Sequence, residues 1–482
     1  MKIILTKNNL RNPYLWFFIV AFLVTLLQYQ LGIRFSYDSN WYIYNASKIG
    51  ENLDFTRPPV YAPLYGWSLG FLNLIGISTI GSVFIYWWAS YLCLLIGFHF
   101  LLKNVGLTIC CLCVVLSNLT TNNLFKFVWT ELGYSALLMF SVSSLYTFKI
   151  SNNKAFKILF LISIALLPLQ RYIGAILSVY LGLVYLFHSK NKIVQRAIEL
   201  VVSAIPITIL VLNNFLLSGH FSGARESATI SLATNVKSTI RVLYYNFSPE
   251  WIIYFLTFII SFFIIRKSQR SVFLFFICLT PIIQVVSQIY SNSKYHIDLI
   301  NPRYFIVLTP LLVLLIILIF KETNKGKNVI YRSYFLFITL ILSNLFLLKK
   351  RDAFINNEPQ ASYSKIKLLV SDLPEKSKIG VFVKNTVFLQ SELILASKII
   401  PDNHCQSYAI KNDVNSKDTS FIPKCTRLNG HTYIPIKYNT NNKPDYVLID
   451  KNGLNEDWKK YFINYNIIDL NSHYVLIKNS IK

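Results

Sequence analysis

"ILFLISIALLPLQRYIGAILSVYLGLVYLFHSKNK", residues 158–192, decides how the chain folds. A membrane-crossing helix needs about 20 apolar residues, and this stretch is too long for one crossing. Arg171 stands in its middle with Pro168 just before it, and Lys154, Lys157, Lys190 and Lys192 border its two ends. A charge at mid-bilayer is expensive and proline interrupts helices. A helical hairpin satisfies every one of these facts, with both basic ends on one side and the turn at Pro168 and Arg171 on the other.

Outward from this hairpin, apolar stretches of roughly 15–25 residues recur to about residue 348, many bordered by Lys or Arg. Placing the basic ends inside sends the first span (14–33) out from Lys2, Lys7 and Arg11 and brings the second (79–102) back to Lys103. A short third span reaches "TTNN" outside, and a fourth (127–148) returns to Lys149. After the hairpin come 194–217, a polar segment from Ser218 to Glu250, and spans near 251–265, 272–290, 304–320 and 333–347. The expected fold is mainly α: a polytopic transmembrane bundle of about 11 crossings over residues 1–348, N-terminus cytoplasmic. The polar remainder, 349–482, reads as a small extracytoplasmic α/β domain. Its strands are expected at "IGVFVKN", "PDYVLID" and "SHYVLIKN", and its helices at "TVFLQSELILASKI" and "NEDWKKYFINY".

Composition agrees. The 482 residues are 54% hydrophobic and only 14% charged, against about 25% charged in soluble domains. A formal charge of +25 fits anionic lipid or a phosphate-bearing substrate, and nucleic acid is excluded as a partner for so apolar a chain. The N-terminus has a basic start and a long apolar core without a small-residue cleavage site, so it reads as an uncleaved first span. Of seven cysteines, Cys93, Cys110, Cys111, Cys113 and Cys278 lie in apolar helices. The "CCLC" cluster has no His or carboxylate nearby to complete a metal site, so its thiols read as inert. Cys405 and Cys425 form a disulfide if their compartment is oxidising.

The topology gathers the unusual polar residues on the outer face in four clusters. In "SYDSNWYIYN", Asp38 either caps a short helix or serves as a catalytic acid; Tyr37, Trp41 and Tyr44 share one face of that helix, and Asp38, Tyr42 and Asn45 another. In "TRPPVYAPLYGWSLGFL", prolines enforce an extended turn around Arg57 and Tyr61. In "FVWTELGYSALL", Glu131 ends a span, facing a polar cavity or snorkelling to the surface. The fourth cluster is cationic: Arg171, Arg225, Lys237, Arg241, Lys294, His296 and Arg303. Each could be an interfacial anchor, but together with the acids they suit a phosphate-linked substrate.

"YDSNWY", "RPPVYAPLYGWSLGFL", "WTELGYSALL", "LQRYIGAIL", "FSGARESA" and "NPRYFIVLTPLL", in this order over residues 1–320, resemble the GT-C superfamily of integral-membrane glycosyltransferases. That superfamily includes protein O-mannosyltransferases, lipid A aminoarabinose transferases and bacterial enzymes with an RgtA/B/C/D-like domain. The Pro-rich loop departs from the family's tighter pattern, and the C-terminal domain carries no matching motif. The resemblance implies an enzyme of the bacterial inner membrane that moves a sugar from a polyprenyl-phosphate donor to an extracytoplasmic lipid, polysaccharide or protein acceptor, as in cell-envelope polysaccharide biosynthesis. Asp38 would be the inverting general base and Glu131 a second acid. Arg171, Arg225, Arg303, Arg57 and Lys294 would bind the donor phosphate, and Tyr37, Tyr42, Tyr61, His296 and Tyr304 the substrate. No organic cofactor is implied; a divalent cation, Mg or Mn, stays open, since two acids do not specify one. The alternatives are an O-antigen polymerase-like enzyme, with no need for Asp38, and a non-enzymatic transporter of lipid-linked glycans.

Overall fold

In the computed structural model the described residues are 12–31, 61–187, 192–218, 230–264, 269–295, 300–323 and 329–346, the strands of a C-terminal sheet, and isolated positions between these. The chain divides into two compact units. One comprises Met1–Leu31, Arg57–Tyr65 and Phe84–Asn356; the other Gly32–Thr56, Gly66–Val83 and Asn357–Lys482.

The helices, in chain order, are α1 (Pro13–Leu31), α2 (Leu64–Leu74), α3 (Thr79–Leu102), α4 (Val105–Ser117), α5 (Leu119–Leu124), α6 (Glu131–Ser151), α7 (Lys154–Gln170) and α8 (Gly174–Leu186). They continue as α9 (Ile193–Ser218), α10 (Leu232–Ile264), α11 (Gln269–Cys278), α12 (Thr280–Tyr295), α13 (Thr309–Thr323) and α14 (Val329–Phe346). Among the described residues five stretches are long and apolar enough to cross a membrane: Pro13–Leu31, Thr79–Leu102, Ile193–Leu216, Val272–Lys294 and Pro302–Ile319. Shorter apolar helices stand at Val105–Ser117, Gly174–Leu186 and Ser333–Leu345. Burial sorts them: the apolar window of Pro302–Ile319 is 94% buried and that of Ile193–Leu216 only 11%. The first is therefore the central element and the second the periphery, its exposed side carrying Val194, Val201, Ile209 and Leu216.

Asparagines punctuate these helices because their short amides replace missing backbone partners. Asn104 caps α4 by accepting from the Leu107 amide at 3.0 Å. Asn152 ends α6 in the left-handed region (φ 51°), and Asn153 starts α7 by accepting from the Ala155 amide at 2.9 Å. The hairpin forms as the sequence predicts, and the break falls at Arg171, which is extended (φ −151°, ψ 134°). Pro168 sits inside the last turn of α7 rather than in the break. Gly174 opens α8 so close to α7 that a Cβ there would stand 2.5 Å from the Leu167 carbonyl oxygen.

Two elements start elsewhere than the sequence suggests. The span expected near 251–265 begins earlier: α10 starts at Leu232 and runs 33 residues, about 50 Å, with Pro249 inside it. Its first half is polar because Lys237 and Arg241, one turn apart, both lie exposed, and a hydropathy reading registers only the apolar half. The helix expected from 304 starts at Thr309, after two 3-10 turns, Pro302–Tyr304 and Ile306–Leu308.

In the second unit, helical positions between Ser39 and Gly50 pack against α2 at glycines. A Cβ on Gly70 would stand 2.7 Å from the Cβ of Ile49, and one on Gly66 3.4 Å from that of Asn45. This GxxxG spacing lets two helix backbones approach closely. The unit also holds a six-stranded sheet of β1 (Lys378–Phe382), β2 (Thr426–Leu428), β3 (His431–Pro435), β4 (Tyr446–Asp450), β5 (Tyr465–Leu470) and β6 (Tyr474–Asn479), in the order β2-β3-β1-β4-β6-β5. β1 runs parallel to β3 and β4; the other pairings are antiparallel. Three strands fall where the sequence places them, at β1, β4 and β6. The expected helices 386–399 and 455–465, and Cys405 and Cys425, lie outside the described residues, apart from Tyr465, which opens β5.

Candidate functional site

Glu131 is the first residue of α6 and is 1% exposed. A carboxylate in such a place requires compensation. The helix N-terminus supplies part of it, since unpaired amides there favour negative charge. Two guanidiniums supply the rest: Arg171 Nη1 donates to Glu131 Oε1 at 3.1 Å, and Arg303 Nε donates to the same oxygen at 2.6 Å. Thr130 Oγ1 lies 3.4 Å from Oε2. One acid thus fixes two arginines that arrive from opposite parts of the chain, and the trio keeps one positive charge in excess.

Each arginine is also held on an aromatic face. The Arg303 guanidinium lies 4.1 Å from the Trp129 ring centroid and that of Arg171 lies 5.9 Å from Tyr134; such cation–π contacts gain strength where water is excluded. Phe127 stacks on Trp129 at 4.1 Å and 13°. Backbone placement is equally specified. Arg303 follows Asn301, whose Oδ1 accepts from the Arg303 amide at 3.0 Å and shapes the 3-10 turn. Gln170 Nε2 donates to the Thr130 carbonyl at 3.0 Å, tying the end of α7 to the start of α6. Gly133 is needed beneath: a Cβ there would fall 1.8 Å from the Tyr86 hydroxyl.

The two side chains remain reachable. Arg171 is 15% and Arg303 20% exposed, against 1% for Glu131. Among the described residues the other N–H groups of Arg171 have no partner, and a guanidinium carries five. Next to Arg171, the Tyr172 hydroxyl donates to the Tyr61 carbonyl at 3.2 Å and receives the Asn214 amide at 3.1 Å. The arrangement can hold an oxyanion against fixed guanidiniums. Among the described residues no group of three or more His, Cys, Asp or Glu could hold a metal ion.

Of the residues singled out by sequence, Glu131, Arg171 and Arg303 come together, with Tyr61 beside Tyr172 and with Tyr304 buried next to Arg303. Lys294 lies exposed near the end of α12, and Tyr42 is buried in the second unit. Asp38, Tyr37, Arg57, Arg225 and His296 lie outside the described residues. Sequence reasoning missed Trp129 and Tyr134, although their places two before and three after Glu131 were a usable signal. It also missed Glu250, fully buried in α10, whose Oε1 accepts from the Asn118 and Asn344 amides, each at 2.9 Å. An acid directly after Pro249 at the head of an apolar run was its signal.

No protein-family model and no curated protein sequence matches the chain. The chain is similar in structure to ArnT from Cupriavidus metallidurans, whose crystal structure is of the protein bound to undecaprenyl phosphate. The TM-score is 0.55 at 10% sequence identity, over 96% of this chain and 97% of that one. This likeness shows the fold, GT-C-like and mainly helical with a small C-terminal sheet, and with the apolar helices it makes the chain a multi-pass membrane protein.

Proposed function

From a multi-pass membrane protein with a GT-C-like fold and a buried acid clamping two arginines, we propose a glycosyltransferase that takes its sugar from a polyprenyl-phosphate donor. The observation that carries this reading is the double contact of Arg171 and Arg303 with Glu131. Guanidiniums held at a fixed spacing match the oxygens of a phosphate. That they are pinned before substrate arrives is the condition for stabilising charge without reorganisation. ArnT, of the same fold, is bound to undecaprenyl phosphate in its crystal structure.

In this reading Arg171 and Arg303 bind the donor phosphate, with Arg57, Arg225 and Lys294 as further cations on its approach. Glu131 is a positioning residue: its Oε1 sets the spacing of the guanidiniums and touches no substrate. An acceptor hydroxyl attacks the anomeric carbon in line, and the bond from that carbon to the phosphate oxygen breaks. The electron pair leaves with the phosphate, whose growing charge the arginines hold. Asp38 takes the proton of the attacking hydroxyl as general base, and attack from the face opposite the leaving group inverts the anomeric centre. Tyr61 and Tyr304, in the same unit as the two arginines, are the substrate contacts this reading favours. The acceptor is an extracytoplasmic lipid, polysaccharide or protein, and the enzyme sits in a bacterial inner membrane with its N-terminus inside and its C-terminal domain outside.

The test compares membranes carrying wild type, Asp38→Asn and Arg171→Lys for transfer from a panel of polyprenyl-phosphate sugars. Asp38→Asn abolishes a wild-type transfer at unchanged protein level, whereas a helix cap alone survives that change because Asn also caps. Arg171→Lys raises the donor KM about tenfold or more, since lysine cannot make a bidentate contact. Equal transfer by all three proteins removes both residues from the site.

A further inference from the structure

α12 is polar on the wrong side for a water-soluble helix. Its exposed positions include Val286 and Tyr290, while Gln284, Ser287, Gln288 and Asn292 are between 0 and 9% exposed. The amides follow at four-residue steps, so they form one inward row. Its upper end meets the arginine site: the Tyr134 hydroxyl donates to Gln284 Oε1 at 3.1 Å, and the same ring lies under Arg171.

Lower on the row, hydrogen-bonding groups are left over. Gln288 Nε2 donates to Asn292 Oδ1 at 2.6 Å, leaving Gln288 Oε1 and Asn292 Nδ2 buried without a partner. Exchanging O and N in both amides only reverses that bond, and still leaves one acceptor and one donor. On α10, Asn235 Nδ2 donates to Ser293 Oγ at 3.0 Å. Ser293 already gives its own proton to the Ile289 carbonyl, so Asn235 must be the donor, and its Oδ1 is the leftover atom. Asn235 and Asn292 are fully buried and Gln288 is 2% exposed. Unpaired amide atoms at such depth are destabilising by about 1–3 kcal/mol each, which calls for an occupant that both donates and accepts.

We propose that this row, Gln284, Gln288 and Asn292 with Asn235, is a subsite for the hydroxyl groups of an uncharged sugar, whose phosphate lies on Arg171 and Arg303. The two leftover carbonyls need two donated protons and the leftover amide needs one acceptor, which two neighbouring hydroxyls of one sugar supply between them. The row contains no ionisable side chain, so an amino sugar or uronic acid would bring a charge to a place that offers it no counter-charge. The inference rests on the phosphate reading above and adds the class of sugar.

The test uses the purified full chain in detergent and five probes: farnesyl phosphate, farnesyl-phosphoryl mannose, glucose and galactose, and the glucosamine conjugate as the charged case. The expected result is that at least one neutral sugar binds about tenfold tighter than farnesyl phosphate, and glucosamine does not. Gln288→Leu and Asn292→Leu each reduce that ratio to about one; Val286→Ala, on the opposite face, keeps it. If Gln288→Leu cannot be purified, Gln288→Glu keeps the shape and should move the preference toward the glucosamine probe; an unmoved preference overturns the proposal. So does a wild-type chain that binds farnesyl phosphate but gains nothing from any neutral sugar, which leaves the phosphate reading intact. A ratio unchanged in both leucine variants assigns the leftover atoms to buried water and likewise overturns it. Failure of farnesyl phosphate itself to bind ends the phosphate reading first, and this one with it.

Discussion

Glu131 Oε1 receives two charged donors at 3.1 and 2.6 Å, so removing this carboxylate leaves two cations facing each other with nothing between them. Glu131→Ala is expected to destabilise the protein by about 3–5 kcal/mol, the effect of breaking a buried ion pair from one side. Thermal unfolding in detergent checks it, and adding Arg303→Leu to the same chain should recover part of the loss by removing one stranded charge. The three charged residues were legible in the sequence because ionisable groups in apolar runs are rare and conspicuous. Gln284, Gln288 and Asn292 were not, since three uncharged amides within a stretch as apolar as Val272–Lys294 leave its mean hydropathy high. Trp129 was hidden for a different reason: an aromatic at a helix end reads as an interfacial anchor until the cation on its face is seen.

Among the elements, the α7–α8 hairpin is where sequence and structure agree best, because length, charge and proline all constrain it at once. The close approach at its turn makes a firm expectation. Gly174→Ala puts a Cβ 2.5 Å from a backbone oxygen that cannot move aside, whereas Gly182→Ala meets only the flexible end of Leu200 at 3.3 Å. The first is expected to lower stability by about 1–3 kcal/mol, as overpacking does, and the second by much less; parallel melting curves of the two proteins decide it. α10 was half-read because its early turns are amphipathic, and periodicity rather than mean hydropathy would have revealed them. The β2–β3 hairpin escaped notice as well, since strands of three and five residues present too few alternations to stand out from a loop.

For the whole molecule, the expectation of many crossings rested on basic residues at alternate ends of apolar runs, and the same rule assigns sides. Lys154, at the start of α7, and Lys294, near the end of α12, are both exposed. With the N-terminus inside, cysteines substituted there in a cysteine-free background should label from opposite sides of the membrane, Lys294→Cys from outside and Lys154→Cys from inside. A probe that cannot cross the bilayer checks this on intact cells; labelling of both from one side would reverse or break the assignment. The polar face of α12 also bears on how the protein is made. A segment carrying a row of amides leaves the translocation channel poorly suited to lipid on its own, and the side chain it must meet, Asn235, belongs to a helix synthesised earlier. A nascent chain arrested after Cys278 would carry α10 without α12, and Asn235, in the polar half of α10 beside Lys237, would face water in place of Ser293.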